Sequence, residues 1–156
     1  MTAVRTYLAA ALVVFTTHFA TAAEPKVATT DEFLKGQITM DPRVHLPQGG
    51  IAARIPVNLS LTNTGTEPLK LVSPNVCQVH NYNITLPNND VIAAKGDMQD
   101  CGTQQATTVL APGETIYASN TLTLSRQMLQ EGRRYFVVYE FWGVRMKQPF
   151  AIFVSD

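Results

Sequence analysis

Charge is scarce in this sequence. Lys, Arg, Asp and Glu make up 15% of its 156 residues and balance to a formal net charge of zero. The basic stripe that would neutralise the phosphates of a nucleic acid or an anionic membrane is therefore missing. Cysteine is nearly absent too: Cys77 and Cys101 are the only two. After the first two dozen residues no apolar run approaches the twenty or so that a membrane-spanning helix needs. G-x-S-x-G, H-E-x-x-H and a phosphate-cradling glycine loop are all lacking. The length suits one domain with a core of its own but is short for two.

The beginning of the chain has a targeting pattern. Arg5 supplies a positive start, residues 8–15 an apolar run, and Ala20-Thr21-Ala22 an A-x-A cleavage site. Residues 1–23 are thus expected to be a signal peptide, cut after Ala22 or Ala23, with no cysteine nearby for lipid attachment. Export takes Arg5 and no acidic residue from the twelve of each sign, leaving a net charge of about −1. The expected location is periplasmic or secreted. Residues 24–36 are expected to form an N-terminal arm, with Thr30 as the cap of a short helical turn, and residues 37–156 the folded domain.

In an oxidising compartment the two cysteines are expected to join. A thiolate metal site or a catalytic cysteine is the alternative. Cys77 and His80 have C-x-x-H spacing, but in an extended strand residues three apart face opposite sides of the sheet.

The remainder alternates between strand and turn signals. Residues 37–40 read as a strand broken by Asp41-Pro42 and resumed at 44–46. Ile55, Val57, Leu59 and Leu61 share one face of a half-buried strand. The turn Asn63–Pro68, with Gly65 allowing a positive φ, leads into residues 69–72, so a hairpin is expected over 54–73. Residues 79–86 and 91–94 flank a turn at Pro87–Asp90. Residues 106–110 end at Ala111-Pro112-Gly113-Glu114, a tight-turn sequence. Residues 115–124 continue extended, and the polar Asn120 among its apolar positions suggests a bulge or a strand changing partners. Ser125–Gly132 reads as a crossover containing one helical turn, capped by Ser125 and stopped by Gly132. It delivers the chain into Tyr135–Trp142, the most apolar strand, which Gly143 and its neighbours turn into a last strand at 149–154 where Phe150, Ile152 and Val154 share a face, so a final hairpin is expected. Short strands at this spacing predict an all-β fold, an antiparallel β-sandwich of about seven to nine strands with one disulfide.

Two resemblances follow from these residues. A leucine, then Gly132, then Tyr135 opening a central strand resembles the tyrosine corner of immunoglobulin-like domains, in which the phenol bonds to backbone just upstream. It implies a bond from Tyr135 to residues 128–131. Unlike true immunoglobulin domains, the cysteines here do not bracket a central Trp, so the disulfide is expected to pin a loop or hairpin. Residues 61–71, 81–86, 110–115 and 131–135 also occur in the order seen in the intracellular proteinase inhibitor (BsuPI-type) family. That resemblance implies an immunoglobulin-like sandwich and, by analogy, a protease-binding role. The chain departs from the family in its export signal, its cysteine pair and the lack of S-G-Q before Asn81-Tyr82, so no inhibitory residue is carried over.

Candidate chemistry is sparse. Beyond residue 23 the histidines are His45 and His80, and neither stands in a sequence signature with an activated nucleophile. Asp97 and Asp100 read as a solvated loop beside Lys95. No catalytic residue and no cofactor are expected. The expected function is a non-catalytic protein-binding module, either a proteinase inhibitor or an envelope-assembly component, with a peptidase or envelope protein as partner. The alternative is a periplasmic copper carrier using soft ligands among Met40, His45, His80, Met98, Met128 and Met146, although Met40 and Met128 are expected to fill core gaps. Asn58-Leu59-Ser60 and Asn83-Ile84-Thr85 fit the glycosylation pattern within expected strands.

Closing a loop of about 25 residues should stabilise the fold by roughly 3.5 kcal/mol on a chain-entropy argument. Reduced and alkylated protein is therefore expected to melt well below oxidised protein, and equal melting temperatures would remove the energetic role assigned to Cys77 and Cys101.

Overall fold

The computed structural model describes residues 26–27, 31–95 and 101–155. The expected signal peptide with Ala22 and Ala23, the cap at Thr30, and Asp97, Met98 and Asp100 lie outside the described residues. Described strands are β1 (Lys26–Val27), β2 (Leu34–Thr39), β3 (Arg43–Pro47), β4 (Ala52–Asn63), β5 (Leu69–Ser73), β6 (His80–Thr85), β7 (Val91–Ala94), β8 (Ala106–Leu110), β9 (Thr115–Ser125), β10 (Arg134–Phe141) and β11 (Val144–Ser155). They form sheets ordered β2-β4-β9, β3-β11-β10-β6-β7 and β1-β5-β8. The chain is an all-β sandwich with one disulfide, Cys77–Cys101. β2 and β3 divide between the two main sheets. The division falls at Asp41-Pro42, where the Asp41 carboxylate accepts from Arg43 N and β3 passes across to run parallel to β11.

Strict alternation makes the core. Ile55, Val57, Leu59 and Leu61 on β4 are at most 2% exposed, and so are Tyr135, Val137, Tyr139, Phe150 and Ile152 from the opposite sheet. All of these belong to one apolar cluster. Each such side chain contributes about 1.5–3 kcal/mol by leaving water. The sheets approach closely at Gly36, where an added Cβ would stand 2.9 Å from a Val144 methyl. The strand containing it begins at Leu34, already buried, so the fold includes the last part of the expected arm.

Several expectations are corrected. Residues 54–73 are not a hairpin, because β4 pairs with β2 and β9 while β5 pairs with β1 and β8. The buried Asn63 redirects the chain: its side chain accepts from Gly65 N and donates to the carbonyls of Glu67 and Leu110. Gly65 is needed for space rather than for a positive φ, since an added Cβ would lie 3.2 Å from Asn63 Oδ1. Cys77 sits on a 3-10 turn, Val76–Val79, not on a strand, because the Asn75 side chain caps it by accepting from Gln78 N. Asn120 makes no bulge, as β4 and β9 keep register from Ala52↔Ser125 to Thr62↔Thr115. Ser125 precedes a 3-10 turn, Arg126–Met128, without a side-chain capping bond.

Other turns follow their sequence chemistry. Gly113 has φ 76° and Glu114 N donates to Ala111 O, as a type II turn requires. Trp142 and Gly143 both have positive φ in the two-residue loop of the β10–β11 hairpin, the pattern of a type I′ turn. Gly132, with φ 70°, donates its N–H to Ile152 O. Just beyond it Tyr135 is 1% exposed and its hydroxyl accepts from Gln130 N at 2.7 Å.

Changing Tyr135 to Phe leaves that amide without the phenol and should cost about 1 kcal/mol. A urea midpoint unchanged from wild type would show that the bond contributes nothing.

Candidate functional site

One end of the sandwich gathers polar chemistry around the disulfide. Cys77 and Cys101, with Cα atoms 5.5 Å apart, tie the 3-10 turn before β6 to the segment after β7. Both thiols are thereby consumed. The ammonium of Lys95 donates to the carbonyls of Cys77 (2.7 Å) and His80 (2.5 Å). A cleft of about 490 Å³ adjoins the disulfide, with Ser73, Asn75, Gln78, Asn81, Lys95 and Glu140 along its walls. A second of about 310 Å³ runs from Val76, His80 and Lys95 to Ser119 and Asn120 on β9.

His80 is held as a packed ring. It stacks on Phe141 with centroids 4.9 Å apart, its cross-strand neighbour, and meets Tyr139 edge-on. Its Nδ1 lies 3.4 Å from the Tyr139 hydroxyl, which accepts from Asn120 Nδ2 at 3.0 Å. Burial, aided by the Lys95 charge, lowers the His80 pKa from 6.5. Burial raises the Tyr139 phenol above 10, Asn120 opposing and Tyr82 reinforcing the shift. The imidazole thus packs among aromatics and faces a phenol.

The soft-ligand candidates other than Met98 lie among the described residues. Met40 and Met146 are core residues, whereas Met128 is 49% exposed and fills no gap, contrary to expectation. His45 lies on edge strand β3 beside Phe153, separated from His80 on β6 by β11 and β10. Among the described residues no group of three or more His, Cys, Asp or Glu could hold a metal ion. Asn58 of the first glycosylation pattern is exposed on β4, its side-chain oxygen accepting from Ser119 Oγ.

The most open feature is the edge of the β2-β4-β9 sheet. β9 pairs with β4 and, among the described residues, with no other strand. Its eleven residues, TIYASNTLTLS, include no charge, glycine or proline. Parity shows which groups it presents outward. Glu114 O accepts from Asn63 N, and Arg126 N donates to Ile51 O, so both flanking even positions bond toward β4. Alternation along an antiparallel strand then turns the N–H and C=O groups of Thr115, Tyr117, Ser119, Thr121, Thr123 and Ser125 away from β4. Among the described residues Thr121 N alone of these is capped, by Asn120 Oδ1 at 2.8 Å. Tyr117 is 79% exposed on the same strand. Natural edges are commonly blunted by Lys, Pro, bulges or short length, and β9 has none of these. β3, by comparison, has Arg43 and Pro47, while β7 is four residues long. Sequence reasoning read residues 115–124 as a strand but not as an edge. The available signal was the uncharged run between Glu114 and Arg126.

No family model and no curated protein matches this chain. Among solved structures it is similar to a β-glucosidase from Listeria innocua in complex with glucose, at 11% identity and TM-score 0.43, over 76% of this chain and 16% of that one. It is also similar to the alkylpurine DNA glycosylase AlkC of Pseudomonas fluorescens bound to DNA containing an abasic site analog, at 18% identity and TM-score 0.44, over 77% and 30%. A conserved hypothetical protein from Bacillus anthracis matches at 13% identity and TM-score 0.42, over 78% and 90%. The chain spans about a sixth of the length of the first of these. At these scores the likenesses carry no functional argument. The disulfide points to an oxidising compartment, and no helix among the described residues is long and apolar enough to cross a membrane.

Because the folded state depresses the His80 pKa, its contribution to stability is fully present above pH 6.5. It is lost as the pH falls below that value, where the unfolded chain takes up the proton first. Denaturant titrations from neutral to mildly acidic pH should therefore show a steeper loss for wild type than for His80→Gln. Parallel curves would contradict the assignment.

Proposed function

We propose that this chain is an exported, non-catalytic module that binds a protein partner by accepting an extended segment along the free edge of β9. The observation that carries this reading is the uncharged ladder of outward N–H and C=O groups from Thr115 to Ser125, interrupted at Thr121 N by the Asn120 side chain. Main-chain hydrogen bonds supply affinity in such strand addition, and the alternating side chains supply selectivity. The signal pattern and the disulfide support a periplasmic or secreted location. His80 faces Tyr139 and both cysteines are bonded to each other, which supports a binding rather than a catalytic role. Of the two binding roles expected from the sequence, the edge favours a component of an envelope assembly. A lengthwise ladder suits the joining of subunits, whereas an inhibitor of a peptidase must fill a cleft.

Thr121→Pro removes one outward donor at an edge position, where proline is tolerated. In affinity capture from the native envelope, the variant should retain at least roughly tenfold less partner than wild type, corresponding to about 1.4 kcal/mol, while melting at a similar temperature. Equal retention would place binding elsewhere. Near-stoichiometric inhibition of one enzyme in a panel of serine, cysteine and metallopeptidases would replace the assembly role with the inhibitor role.

A further inference from the structure

We infer that the strand accepted by β9 is β9 of a second copy of this chain, paired antiparallel about a two-fold axis at Asn120; this deepens the strand-accepting role proposed above and rests on it. Asn120 is the midpoint of Thr115–Ser125. About that centre Thr115 stands opposite Ser125 of the second copy, Tyr117 opposite Thr123, and Ser119 opposite Thr121. All six are the outward-bonding positions, so each facing pair can exchange both backbone hydrogen bonds.

The flanking charges select this register. Glu114 and Arg126 bound the uncharged strand, and about the same centre Glu114 of each copy stands across from Arg126 of the other. Moving the axis by one residue in either direction leaves an unpaired strand end and takes each charge off its opposite. In the single chain Glu114 Oε2 accepts from Ala111 N, and Arg126 Nη1 lies at 3.3 and 3.4 Å from the carbonyls of Pro47 and Gly50. A guanidinium has five N–H donors, so Arg126 can keep these contacts and still meet a carboxylate. On the outer face the opposed pairs are Tyr117 with Thr123 and Ser119 with Thr121. These neutral, strand-favouring side chains are of the kind that stabilise cross-strand neighbours.

One local exchange accompanies docking. Thr121 N leaves the Asn120 side chain for the Ser119 carbonyl of the second copy. Asn120 keeps its amide donation to Tyr139. The product is a continuous six-strand sheet, β2-β4-β9 followed by the same three strands reversed. Because the contact is isologous it uses up both free β9 edges and closes at two copies.

Sedimentation equilibrium of the exported chain over a range of concentrations tests the pairing. Wild type should pass from monomer to dimer. Tyr117→Lys with Thr123→Lys sets two pairs of like charges opposite one another and should weaken the dimer at least roughly tenfold. Tyr117→Lys with Thr123→Glu sets opposite charges there instead and should restore it to within about threefold of wild type. Both positions are exposed, and circular dichroism should show all three proteins folded. A wild type that stays monomeric, or a dimer indifferent to the paired lysines, overturns the inference. If wild type is monomeric yet Thr121→Pro still loses a captured partner, the second copy is wrong and the strand-accepting edge stands. If a dimer forms that neither the lysine pair nor Thr121→Pro weakens, and Thr121→Pro retains as much captured partner as wild type, both fail.

Discussion

The sandwich depends on one buried amide. Asn63 is fully buried at the end of β4, and its side chain holds Gly65 N, Glu67 O and Leu110 O together. Its backbone donates to Glu114 O and accepts from Gly113 N. The chain's departure from β4 and its return into β9 are thus bonded through the same residue. A buried polar group of this kind is costly unless fully satisfied, and here the cost is met by five partners, of which Leu110, Gly113 and Glu114 are brought close by this topology. The register of β9 against β4, and hence which backbone groups face outward, is fixed from that end.

The sequence made the interior legible and the connections less so. The β4 alternation, the turn at Ala111–Glu114 and the β10–β11 hairpin were readable because a period of two and a glycine at a left-handed position are local properties. Whether consecutive strands pair is not local. Leu61 and Leu69 lie on either side of a short polar turn and look like hairpin partners, yet Asn63 sends the second strand to another sheet. Similarly Asn120 interrupts an apolar face in the manner of a bulge. Its actual partner, Tyr139, lies in the opposite sheet, where no spacing rule reaches it.

The polar end and the free edge are physically connected. From the Lys95 ammonium, bonded to the His80 carbonyl, contacts continue through the His80 ring, the Tyr139 hydroxyl and the Asn120 amide to Thr121 N on the β9 rim. Cys77 and Cys101 anchor the beginning of that path. The candidate copper ligands and the expected catalytic vacancy were read from residue types alone. What organises this region is packing around a neutral histidine, a property of burial that no residue type announces.

The placement of the disulfide has a kinetic corollary. Thr62 and Thr115, whose hydroxyls meet at 2.8 Å where β4 and β9 come together, are 53 residues apart along the chain. The sulfur bond bridges a separation of 24 residues lying wholly inside that interval. Oxidation therefore shortens the chain path that must close before the longest strand pair can form to roughly thirty residues, lowering its closure entropy by about 0.5 kcal/mol. The same covalent link that holds the finished polar end together makes the encounter of β4 with β9 about twofold more frequent in the unfolded chain.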